Sequence, residues 1–275
     1  MIPPTSIDGT DITGATIDGT DVQEITVDGD VVFSAGPTLP VAYSNLIAWY
    51  PFDSAEYGGS NADDVTAIIG GSGDDTAYDG TVEGATYQSS SGVTDINAGA
   101  NSGAFDFDGS NDYIEIDSLS SELDGERTFT FWAKIETSSG DAQDNTVISA
   151  HNSAGANNLR IGADEDDIFI GGDIIDTNTL FSYTGGSVNT YVFAVITVSP
   201  TNNEVEIFAN GNNSIGSPSF DTWTFNGTTT QVSIGQEWDG GPTSDHFDGD
   251  IDDVRLYDKI LSGTEIEQIY DNTEP

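Results

Sequence analysis

The sequence predicts an all-β chain folded as a two-sheet antiparallel sandwich, with a short helix near its C-terminal end. Three observations carry this. Apolar residues recur in short alternating or continuous runs. The runs are separated by turn clusters drawn from 32 glycines and 9 prolines. Helical spacing of apolar residues, with a start signal, stands out once, close to the end of the chain.

Residues 6 to 35 repeat with a period of ten: SIDGTDITGA from Ser6, TIDGTDVQEI from Thr16 and TVDGDVVFSA from Thr26. Each unit places an Asp-Gly pair between short β-branched segments, and Asp-Gly is the strongest two-residue hairpin signal because both central positions need a positive φ. Ile7, Ile12, Ile17, Val22, Val27 and Val31 flank these turns. A module this small cannot bury a core alone. Residues 1–36 are therefore expected to anchor or oligomerise, completing their core with further copies or on another protein; a small appendage folded back on the main domain is the alternative. Residues 37–44 read as a linker that begins among Pro37 and Pro40.

Residues 45–275 form the main domain. Strands are expected at Ile47–Phe52, Thr81–Tyr87, Ala104–Phe107, Tyr113–Ile116, Thr128–Ile135, Thr146–Ala150, Leu159–Ile161, Tyr191–Val198, Glu204–Ala209, Val232–Ile234 and Val254–Tyr257. The stretches Asp53–Asp79, Asp141–Gln143 and Gly171–Gly186 read as extended loops, where a rigid sandwich carries recognition. Ser262, with Glu265 three residues later, is a capping-box signature, and Ile266, Ile269 and Tyr270 then share one helix face.

The chain carries 48 Asp and Glu against 5 Lys and Arg, a formal charge of −43. The acids are scattered between strand-like runs, as in a folded surface and unlike an acidic tail. Charges within a Debye length of ~10 Å repel in dilute buffer, and molar salt shortens that length to ~3 Å. The expected setting is an extreme halophile. With no basic stripe, nucleic acid and anionic membranes are excluded as partners. No cysteine is present, which removes disulfides and thiolate chemistry. No basic segment followed by an apolar run opens the chain, so no secretory signal and no membrane insertion are expected.

The motifs LIAWYPFD, DGTVEGATY, GAFDFDGSNDYIEI, FTFWAKI, FANG and FDGDIDDVRLYDKILSGTEIEQIY occur in that order between Leu46 and Tyr270. Together they resemble a laminin G-like domain of the concanavalin A-like jelly-roll superfamily. The resemblance implies a jelly roll of two antiparallel sheets, with the first and last strands side by side and the terminal helix closing an edge. It also implies a structural calcium tying the first strand region to the last, for which Asp53, Asp79, Asp250 and Asp252 hold the matching positions. The repeat leader, in turn, is similar to those of structural proteins in tailed viruses.

Catalysis is not expected. The Glu-x-Asp-x-x-Glu pattern of the superfamily's glycan hydrolases is absent, and Glu204-Val205-Glu206 reads as a solvated strand face. His151 and His246, far apart in sequence, have no nucleophile motif nearby. Glycan binding needs exposed aromatic platforms beside hydrogen-bonding groups. Trp49 and Trp132 sit within strands and belong to the core. Trp238, with Asp239 and His246, is the candidate recognition patch, and Trp223 is a second loop tryptophan. The resulting expectation is a non-enzymatic virion surface protein of a halophilic archaeal virus, oligomeric, held to other virion proteins by residues 1–36 and engaging host surface glycans. A cellular surface lectin, or a particle cement that binds no sugar, are the open alternatives.

Overall fold

The computed structural model describes residues 6–7, 10–11, 16–17, 20–21, 24–27, 30–34, 41–53, 61–62, 77–94, 103–137, 145–152, 157–172, 179–184, 186–218, 229–238 and 243–275. The chain divides into two compact units, Met1–Leu39 and Pro40–Pro275.

The first unit contains three antiparallel ribbons: β1 (Ser6–Ile7) with β2 (Thr10–Asp11), β3 (Thr16–Ile17) with β4 (Thr20–Asp21), and β5 (Glu24–Val27) with β6 (Asp30–Ser34). Ile7 faces Thr10, Ile17 faces Thr20 and Val27 faces Asp30, so each ribbon encloses one Asp-Gly pair in the register of a two-residue hairpin. One sequence repeat is one hairpin. Of the six candidate assembly residues, Ile7, Ile17, Val27 and Val31 lie on these strands, whereas Ile12 and Val22 fall outside the described residues.

The second unit continues with β7 (Leu46–Tyr50), β8 (Asn61–Ala62), β9 (Gly80–Glu83), β10 (Thr86–Gln88), β11 (Ala104–Asp108), β12 (Tyr113–Glu115), β13 (Arg127–Ile135), β14 (Thr146–Asn152), β15 (Asn157–Ala163), β16 (Asp167–Gly171), β17 (Thr179–Ser182), β18 (Tyr191–Ser199), β19 (Glu204–Ala209), β20 (Asn213–Gly216), β21 (Thr229–Ile234), β22 (Glu237–Trp238), β23 (Thr243–Ser244), β24 (Asp248–Tyr257) and the helix α1 (Gly263–Thr273). Two eight-stranded antiparallel sheets result. The first runs β10-β11-β24-β13-β18-β19-β20, with β7 also paired to β24; the second runs β17-β16-β15-β14-β21-β12-β9-β8. β7 pairs with the Val254–Tyr257 half of β24 and β11 with its Asp248–Ile251 half, so the first and last strands are neighbours as expected.

The core lies between the sheets. Phe105, Phe107, Phe129, Phe131, Ile196 and Ile251 from the first meet Ile114, Ile148, Ile161, Ile170 and Ile234 from the second, all of them buried. Three findings differ from the sequence reading. The run Thr81–Tyr87 is two strands in two sheets: Gly84, at φ +83°, turns the chain from β9 to β10, and a Cβ there would collide with Asp112 Oδ1. Part of the expected loop Gly171–Gly186 is a strand, since β17 pairs with β16 and packs Phe181 against the core while Leu180 stays exposed. The helix lies on a face and not at an edge. Trp132, Phe193, Val195 and Tyr257 turn away from the main core, and Ile266 and Ile269 of α1 cover them. Trp132 Nε1 donates to Thr273 Oγ1 at 2.8 Å and its ring stacks on Tyr270 at 5.6 Å. The unbroken apolar run Val192–Ile196 of β18 has this cause, because a strand buried on both faces cannot alternate. The capping box forms as read: Ser262 Oγ accepts from Glu265 N, and the Glu265 carboxylate accepts from Ser262 N.

Candidate functional site

In a chain of net charge −43, the position of each cation is informative, and all five are committed within the fold. Lys134 pairs with Asp250 and Glu136, Arg160 with Glu237 and Asp245, Arg255 with Asp253, and Lys259 with Glu265. Arg127 donates to the backbone carbonyls of Glu122 and Glu126.

Arg160 belongs to a polar face. In the second sheet Ile114, Ile148, Ala150, Leu159, Ile161, Val232 and Ile234 turn into the core. By alternation Tyr113, Glu115, Ser149, His151, Arg160 and Ser233 share the outward side. The ribbon β22–β23, in which Glu237 faces Ser244 and Trp238 faces Thr243, brings Glu237 and Trp238 to this side. Trp238 Nε1 donates to Ser233 Oγ at 3.2 Å, and Ser233 and Ser149 share a hydrogen bond of 3.0 Å. The partly buried Trp238 ring meets Tyr113 edge to face at 5.6 Å. Beside them Arg160 is buried, its Nε paired with buried Glu237, its Nη2 2.6 Å from Asp245 Oδ2, and its guanidinium 5.2 Å from the Phe169 ring centroid. Both ring nitrogens of buried His151 lack a hydrogen-bond partner among the described residues.

Two of the four expected glycan-binding residues are thus brought to one region. Trp238 packs on Tyr113, and His246 lies beside Asp112, the residue before it, with Asp108 and Asp245 also near. Burial pulls the His246 pKa below its usual value, against those three carboxylates, so its imidazole is neutral at pH 7. Burial first, and neighbouring carboxylates second, raise Glu115; burial alone raises Asp117. Asp239 and Trp223 lie outside the described residues. Sequence reasoning missed Tyr113, Ser149, Arg160, Ser233, Glu237 and Asp245. The one signal for them was strict alternation along Tyr113-Ile114-Glu115 and Leu159-Arg160-Ile161, which marks an outward polar face without naming its partners.

Of the four residues expected to hold calcium, Asp250 lies in a group of acids that the structure brings together. Among the described residues the group of three acids with converging oxygens is Asp106, Glu136 and Asp250, all within 4.8 Å of one another; Asp53, Asp79 and Asp252 are not part of it. Lys134 holds this group, paired with Asp250 and 3.7 Å from Glu136, and Asp250 also accepts from Ser91 and, at 3.0 Å, from Tyr191. Asp252 accepts from the backbone N–H of Val93 at 2.8 Å and of Asp253 at 2.7 Å.

Comparison with known proteins agrees with the two-sheet topology. The model of a laminin G family within the concanavalin A-like lectin/glucanases superfamily matches residues 108–267, more than half of the chain. The chain belongs to this superfamily. Solved structures sharing the fold of this superfamily member include the receptor binding domain of botulinum neurotoxin type G, 15% identical, with 82% of this chain and 51% of that one covered and a TM-score of 0.53. They also include a mutant of Trypanosoma rangeli sialidase displaying trans-sialidase activity, 14% identical, with 82% of this chain and 33% of that one covered and a TM-score of 0.55. The superfamily domain thus spans about half the toxin chain and a third of the sialidase. No curated protein matches the chain.

Proposed function

We propose that this superfamily domain is a non-catalytic glycan-binding module, and that the outward face of the second sheet around Trp238 and Tyr113 is its binding surface. The observation that carries this is the pairing of two half-buried aromatic rings, Trp238 and Tyr113, with the half-buried carboxylates of Glu115 and Asp245. A sugar presents an apolar face and a rim of hydroxyl donors, which such a surface complements. A further structural neighbour, from botulinum neurotoxin type C, enters cells in dependence on interaction with two ganglioside molecules; it is 14% identical, covers 83% of this chain and 51% of its own, with a TM-score of 0.53. That likeness supports the fold as a scaffold for the role. Binding is favoured over hydrolysis because Glu204 and Glu206 both lie exposed on one face of β19.

The setting we propose is the surface of a halophilic virus particle, with residues 1–36 as the anchor. The acidic surface and the three hairpins, each too small to bury a core, support it. Removing residues 1–36 is expected to leave a folded jelly roll and to reduce the mass seen by light scattering to that of a monomer. Equal mass per particle for both chains would refute the anchor.

Trp238→Ala is expected to weaken glycan binding by about tenfold or more, the 1.4 kcal/mol or greater of a central aromatic contact. Its melting temperature should stay near that of the parent, since Trp238 lies outside the core between the sheets. Calorimetric titration of glycans released from halophile cell surfaces, in molar KCl, measures this. Unchanged affinity would place binding elsewhere.

A further inference from the structure

We propose that the glycan this face accepts is uncharged or positively charged, and that sugars carrying a carboxylate or sulfate are excluded. The proposal rests on the glycan-binding reading above and specifies its ligand class. Selective binding of a sugar acid normally requires a fixed cation, most often an arginine fork free to pair with it. All five lysines and arginines lie among the described residues, and each is committed to groups of this chain.

Arg160 alone among them reaches the candidate face. Glu237 holds its Nε, Asp245 holds its Nη2 at 2.6 Å, and Phe169 lies against its guanidinium. An incoming carboxylate must displace one of two carboxylates that the fold already places there. The other cations are remote from this role: Lys134 serves the Asp106–Glu136–Asp250 group on the first sheet, Arg255 is buried, Lys259 closes the capping box of α1, and Arg127 holds backbone carbonyls. The N-terminus of α1, a second kind of anion site, is filled by the Glu265 carboxylate.

The rest of the face repels anions. Glu115 of β12 lies near both Glu83 of β9 and Asp117 just beyond β12, and His246, held neutral by burial, supplies no charge. Hydroxyl donors find acceptors there without adding charge. A protonated amino sugar would in addition relieve the repulsion.

The test is a glycan array in molar KCl on which each neutral or amino sugar stands beside its own sialylated, uronic or sulfated derivative. The full chain is expected to bind neutral or amino members and to lose about tenfold or more in affinity when the acid group is added, since juxtaposed like charges disfavour binding strongly. Asp245→Asn, which keeps a residue type tolerant of the positive φ of +47° at that position, releases Nη2 and should admit the acidic derivatives. Acidic members bound as well as their parents by the wild-type chain would overturn the proposal while leaving the glycan reading intact. Discrimination unchanged in Asp245→Asn would overturn it through Arg160. Binding to neither member of any pair would overturn the glycan reading, and this proposal with it.

Discussion

Transferred from molar KCl to about 0.1 M salt at pH 7, the protein is expected to melt some 10–20 °C lower, which corresponds to about 5 kcal/mol for a domain of this size. The Debye length grows from ~3 to ~10 Å over that change, so carboxylates on neighbouring strands begin to feel one another. The fold places many of them so. Asp106 faces Asp250 and Asp108 faces Asp248 across adjacent strands, and Glu115 lies near Glu83 and Asp117. Lys134 answers the Asp106–Asp250 pair alone, and the other four cations are paired or hydrogen-bonded elsewhere. The same groups set a pH dependence. Burial first, with neighbouring carboxylates after it for Asp106, Asp112 and Glu115, holds Asp106, Asp112, Glu115 and Asp117 above the ordinary carboxylate range. Each binds its proton more tightly in the fold than in the unfolded chain. Their contribution is therefore present below the unfolded values and lost as pH rises through the folded ones. At 0.1 M salt, acidification from pH 7 toward the carboxylate range should raise the melting temperature. Scanning calorimetry over salt and pH measures both, and a melting temperature independent of salt would contradict adaptation to high salt.

Local periodicity made much of the fold legible. The alternating or apolar runs that mark β7, β11, β13, β18, β19 and β24 lie where the strands form, and Ser262 with Glu265 marks the start of α1 correctly. Trp49 and Trp132 are buried as their strand positions imply. What escaped was decided by contacts distant in sequence. Nothing in Thr81–Tyr87 tells that its halves join different sheets; Gly84 against Asp112 decides that. The side on which α1 lies depends on Trp132, Phe193 and Tyr257 from three strands. The site divides in the same way. Trp238 stands out as an aromatic in a turn cluster, but Tyr113, Ser233 and Arg160 reach it through the register of β12, β21, β14 and β15. Asp250 was legible as an acid at a motif position; its partner Lys134, directly opposite on β13, was not.

Arg255→Met is expected to destabilise the jelly roll by about 3–5 kcal/mol, the cost of leaving a buried charge without its partner, or roughly 6–20 °C in melting temperature. The reason lies in a bulge. Thr130 of β13 faces Arg255 and Trp132 faces Asp252, so β24 carries one extra residue there, and Asp253 adopts a positive φ of +47°. The inserted residue shifts the alternation. Ile251, Val254 and Leu256 all reach the main core, while Asp252, Arg255 and Tyr257 turn the other way. Arg255 then lies with its guanidinium 4.9 Å from the Trp49 ring, and Asp253 Oδ1 accepts from Arg255 Nε at 2.9 Å and from Trp49 Nε1 at 2.6 Å. One carboxylate oxygen thereby joins the first strand of the domain to the last. Removing the arginine leaves Asp253 buried with Trp49 as its remaining strong donor among these contacts. Removing both charges, in Asp253→Asn with Arg255→Met, should recover part of the loss, because no unpaired ion remains and the asparagine still tolerates the left-handed backbone. A double variant less stable than Arg255→Met alone would show that the Trp49–Asp253 bond, and not the ion pair, holds the two strands together. A single variant within about 1 kcal/mol of the parent would place this pair with exposed salt bridges, which contribute ~0–1 kcal/mol, against its burial between β7 and β24.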